Sequence, residues 1–122
     1  MKAYTVVLAF CAALIVSNVP SSTQAQQRQP EPPIAGPGCP RAGTKSPRSS
    51  QRVPVTFFNG QHREAHLYWV DFNGNSVFYA KINRGQQYQV NSFAGHVWVA
   101  LNERGRCVST FAVSPAGGTI GL

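Results

Sequence analysis

"HLYWVDFNGNSVFYAKI" (residues 66–82) decides how this chain folds. Two runs rich in β-branched and aromatic residues, 66–72 and 76–82, flank Asn73-Gly74-Asn75. Asn and Gly tolerate the positive φ of tight hairpin turns, so the stretch reads as two antiparallel strands and their connection. The same texture continues outward in VPVTFF (53–58), QQYQVNSF (86–93), HVWVALN (96–102) and CVSTFAVS (107–114). Asn59-Gly60, Asn83-Arg84-Gly85, Ala94-Gly95 and Glu103-Arg104-Gly105 punctuate these runs. Short strands at close spacing, with no helical period, predict an all-β domain over residues 53–122. The expected form is a small antiparallel β-sandwich of about six to seven strands.

What precedes the domain has a different composition. Lys2 and the apolar run AYTVVLAFCAALIV (3–16), followed by small and polar residues up to Ala25, read as a cleavable signal peptide over residues 1–25. The run is too short for the roughly 18 residues of a membrane-spanning helix. The expected location is therefore secreted or periplasmic, with membrane contact only through the transient signal peptide. Residues 26–52 hold six prolines and three glycines and almost no large apolar side chains. A segment that can bury so little surface does not offset its ordering entropy, and it is expected to be a disordered linker.

Charge and cysteine usage follow the same division. Residues 26–52 carry Arg28, Arg41, Lys45, Arg48 and Arg52 against Glu31 alone, so most of the basicity falls outside the strands. Such a tail is drawn to anionic partners without reading their sequence. Nucleic acid is accordingly not the expected ligand of the domain itself. Cys39 and Cys107 remain after removal of the leader. In an oxidising compartment they can pair with each other, or stay unpaired or bond to other chains; the spacing leaves this open.

Alternation along the strands sorts the side chains onto two faces. Tyr68, Val70 and Phe72, then Phe78, Ala80 and Ile82, then Val97, Val99 and Leu101 form the more apolar set, the expected core. The opposite set gathers Trp69, Tyr79, His96 and Trp98 with Asp71, Lys81 and Asn102. Aromatic residues mixed with charges on one face mark a contact surface; the alternative is that the tryptophans are core and the parity is inverted. Ser92 shares its parity with Val90, so alternation does not put it in the aromatic set.

"YWVDFNG" (68–74), Tyr79 and "NSFAGHVWV" (91–99) together resemble the von Hippel–Lindau β-domain family, from about Val53 to about Leu101. That resemblance implies a β-sandwich that binds peptides through 4-hydroxyproline. It makes Trp69, Phe93 and Trp98 walls of a pocket for the proline ring. It assigns Tyr79 to the ligand backbone, and Ser92 and His96 to the ring hydroxyl. Phe93 stands where the best-known member has Tyr. No helical domain follows the strands, so no ubiquitin-ligase adaptor is expected. The implied protein is a non-enzymatic binding module with a protein or peptide partner and no cofactor. Two rivals are a structural or adhesive sandwich, and an aromatic-patch binder of polysaccharide or nucleic acid. Ser92, His96 and Asp71 also contain the residue types of a hydrolytic triad, but no nucleophile elbow or oxyanion hole accompanies them.

Overall fold

The computed structural model describes residues 28–122, with positions 3 and 13 as isolated points before them; the leader assigned to residues 1–25 lies outside the described stretch. Eight strands occur, and no helix is present among the described residues. They are β1 (Pro30–Glu31), β2 (Arg52–Phe58), β3 (Glu64–Val70), β4 (Ser76–Asn83), β5 (Gln87–Phe93), β6 (Val97–Asn102), β7 (Cys107–Ala112) and β8 (Gly118–Gly121). One sheet has the order β1-β4-β3-β6-β7 and the other β5-β2-β8. The two stack as the expected sandwich. One pairing departs from the antiparallel rule: β8 runs parallel to β2, Val55 beside Gly118 and Phe58 beside Gly121. No hairpin joins these strands; the chain crosses from β7 in the large sheet to reach the free edge of β2.

The interior is the face that carries the tryptophans. Val53, Val55 and Phe57 of β2 pack with Ala65 and Leu67 of β3, Ile82 of β4, and Trp98 and Ala100 of β6. Trp98 is only 2% exposed, whereas Phe78, expected in the core, is 38% exposed. The expected assignment of faces is thus inverted on β3 and β6. It fails within β4, where a register shift sets Leu67 opposite Ala80 but Tyr68 opposite Phe78. Tyr79 is the unpaired residue of this bulge, and such an insertion breaks the period of two. Ile82 and Val77, of opposite parity, are consequently both buried.

Alternation misled because the outer face of the large sheet is partly covered as well, at Val70 and Val99. Arg52 already belongs to β2, and the linker expected to be disordered over residues 26–52 instead lies against the domain along residues 28–51. It pairs β1 with the edge of β4, and Cys39 is joined to Cys107 at the start of β7 by a disulfide of sequence separation 68. It returns to Ser46, 3% exposed, before entering β2. Thr110 Oγ1 donates to the Gly38 carbonyl, and Thr110 is the cross-strand neighbour of the fully buried Val99. Ser46 Oγ donates to the Val70 carbonyl and accepts from Val97 N–H, stitching β3 to β6. A strap with little apolar surface of its own is held by a covalent tie, backbone pairing and a few buried polar contacts. Composition alone omits those terms.

Candidate functional site

A cavity of about 210 Å³ opens at one end of the sandwich, lined by Trp69, Phe72, Tyr79, Asn91, Ser92, Phe93, His96 and Trp98. All six residues singled out from the sequence are among them. They reach it from both sheets. Trp69 and Trp98 are cross-strand partners on the inner face of β3 and β6, and Tyr79 is the bulged residue of β4. Ser92 belongs to the second sheet and points inward with Val90, as its parity requires. The cavity lies between the layers, not on a face, and this reconciles Ser92 with the aromatic set.

The turn from β5 to β6 places the remaining groups. His96 N–H donates to the Phe93 carbonyl at 3.0 Å, closing a tight turn through Ala94 and Gly95. Gly95 has φ of 82°, and a Cβ there would come within 3.1 Å of Pro47 Cγ. Any other residue would be strained in that conformation and would also crowd the strap. The turn therefore sets His96 beside Phe93, their rings 5.1 Å apart.

His96 is the centre of the ring cluster. It stacks on Trp69 at 5.5 Å and 25°, while Phe72 meets both rings edge-on at 5.2 and 5.5 Å. Tyr79 packs edge-on against Trp98 at 4.7 Å. Trp98 Nε1 donates to Ser92 Oγ at 3.0 Å, leaving the Ser92 proton available to a ligand. Among the described residues two buried side-chain polar atoms have no partner, Trp69 Nε1 and His96 Nε2. Burial pushes the His96 pKa below its usual value, opposed by a hydrogen bond to the Pro47 backbone. In the neutral tautomer that carries its proton on Nδ1, Nε2 presents a lone pair. Burial also raises the Tyr79 pKa, against the attraction of Arg28.

A family model for the VHL beta domain matches residues 44–106, a little over half of the chain. The chain belongs to the VHL β-domain family. No curated protein matches it. The VHL β-domain match begins at Thr44, nine residues before the expected boundary, and so takes in Ser46, which bonds Val70 and Val97, and Pro47, which lies beside Gly95. It leaves Cys39, Cys107 and β8 outside.

Phe72 and Asn91 line the cavity without having been singled out. Phe72 had been placed with Tyr68 and Val70 by alternation, but β3 ends at Val70 and Phe72 already lies in the turn. Asp71 signals that end, its Oδ1 accepting from the N–H groups of Asn73 and Asn75. The same bonds commit this carboxylate to the turn. His66 sits on β3 beside Glu64 at 3.3 Å. Among the described residues no three of His, Cys, Asp and Glu cluster as metal ligands would.

Proposed function

We propose that this protein is an exported, non-enzymatic peptide-recognition module. It takes a proline ring into the cavity and reads a 4-hydroxyl group on that ring through Ser92 and His96. The observation that carries this reading is the state of His96: an imidazole only 5% exposed, stacked on an indole, with Nε2 unpartnered. An alcohol is the group whose donor and acceptor both find partners here. Its proton goes to the Nε2 lone pair, and its oxygen accepts from Ser92 Oγ–H. The flat apolar ring packs between Trp69 and Phe93. The disulfide accords with an oxidising compartment outside the cytoplasm.

Unmodified proline would leave both polar groups buried and unpaired, at about 1–3 kcal/mol each. Calorimetric titration with peptides differing only in one hydroxyl is expected to give about 10- to 100-fold tighter binding of the hydroxyproline form. Ser92→Ala and His96→Ala should each collapse that ratio towards one, with little change for the proline peptide. Equal affinities for the two peptides in the unaltered protein would refute the assignment.

Acid should have the same selective effect. The folded-state pKa of His96 lies below its ordinary value of 6.5, so between the two values the unfolded chain binds more protons. Stability from the neutral ring is complete above about pH 6.5 and declines as pH falls below it. Protonation also turns Nε2 from acceptor into donor. The preference for hydroxyproline is therefore expected to be flat above about pH 6.5 and to fall only at more acid pH, by at most tenfold per unit. His96→Gln should remove the pH dependence; an acid-induced fall that persists in His96→Gln would exclude Nε2 as its source.

A further inference from the structure

Resting on the reading of the cavity as a peptide-ring site, we infer that its mouth recognises acidic residues flanking the inserted ring, so the partner is an anionic peptide segment. Three arginines of the strap and its junction with β2 stand over three of the aromatic walls. Arg28 Cζ lies 4.1 Å from the centre of the Tyr79 ring, Arg48 Cζ 4.7 Å from that of Phe72, and Arg52 Cζ 5.9 Å from that of Phe93. All three arginines are exposed. Tyr79, Phe72 and Phe93 come from β4, the β3–β4 turn and β5, so the cations sit beside three different walls of the cavity.

None of these charges is neutralised within the described residues. The ion pairs found there join Glu64 to His66 and Lys81. Asp71 is engaged by the amides of its own turn. A guanidinium resting on a ring face keeps its apolar stem on the ring while its edge N–H groups remain in water. Those N–H groups match a carboxylate in a fork geometry that Lys lacks. Arg28 is held further, its Nη1 donating to the carbonyls of Phe78 and Tyr79 at 3.1 and 2.9 Å. Cations already ordered lose less freedom when a ligand arrives.

The arrangement favours a peptide over a nucleic acid or polysaccharide strand. Strand binders align exposed ring faces along a basic groove. Here Trp98 is buried, and Phe72 and Tyr79 meet the tryptophans edge-on, leaving a small socket with cations over three of its wall rings. One ring enters, and charges on either side of it meet the rim.

Four synthetic peptides test this, with proline or hydroxyproline at the centre and either Glu or Gln on both flanks. Against the purified protein at about 50 mM salt, Glu flanks are expected to tighten binding roughly 10- to 50-fold, and the gain should shrink strongly at about 300 mM. Arg28→Gln, Arg48→Gln and Arg52→Gln should each weaken the Glu-flanked peptides about 3- to 10-fold and leave the Gln-flanked ones unchanged, with melting temperatures confirming intact folds. Equal affinity for Glu- and Gln-flanked hydroxyproline peptides would overturn the acidic-partner inference while the ring-binding reading stands. A Glu preference with no effect of hydroxylation would do the reverse. Failure of all four peptides, with a sulfated oligosaccharide binding instead, would overturn both.

Discussion

Trp98→Ala is expected to destabilise the domain by about 3–5 kcal/mol, the range for removing a buried aromatic side chain. The indole packs against Phe57 at 5.2 Å and Tyr79 at 4.7 Å, and its Nε1–H is the partner of Ser92 Oγ. Deleting it opens a cavity between the sheets and strips a buried hydroxyl of a hydrogen bond. Small domains have total stabilities of about 5–15 kcal/mol, so a large share of the margin would go. Urea denaturation should show the midpoint displaced with little change in slope. Trp98→Phe keeps one aromatic ring but loses the N–H and part of the indole's volume, and should cost less than Trp98→Ala. Trp69→Ala, on a partly exposed ring, should weaken ligand binding at a smaller cost to the fold. Equal stability of Trp98→Ala and the unaltered protein would show that the indole is not an interior residue.

The second large effect is expected on removal of the disulfide. Closing a loop with a sequence separation of 68 lowers the entropy of the unfolded chain by an amount worth about 4 kcal/mol on the chain-entropy account. Cys39→Ala with Cys107→Ala should lower the melting temperature by about 15–30 °C, given 4–8 °C per kcal/mol for a domain of this size. The strap should also become sensitive to proteolysis before the strands do, because its hold on the outer face includes few apolar contacts. A melting temperature within a few degrees of the unaltered protein would mean that the bridge does not stabilise the fold. The strap carries Arg28, Pro47 and Arg48, so loosening it should disturb the cavity mouth as well as the outer face.

The strands were legible because their signals are local. The hairpin of β3 and β4 announces itself in Asn73-Gly74, and the turns at Gly85, Gly95 and Gly105 do the same for their neighbours; all four glycines have positive φ. The resemblance to the VHL β-domain rested on ring-bearing residues at fixed spacing, and those residues line one cavity. The faces were less legible. Alternation ranks two faces by polarity, and it misleads when one is covered by the second sheet and the other partly by the strap. It also fails at Tyr79, where a bulge adds a residue, and at Phe72, where the strand has already ended.

By itself, the sequence determined the all-β class, most strand positions and the residue types of the candidate site, since all three depend on backbone preferences and spacing within a few residues. Only the tertiary structure decided that the tryptophan face is interior, that Ser92 and His96 line one cavity between the sheets, and that arginines from a proline-rich strap lie over its aromatic walls. Each of these depends on contacts between segments far apart in the chain, held by burial and by a covalent tie that no local pattern encodes.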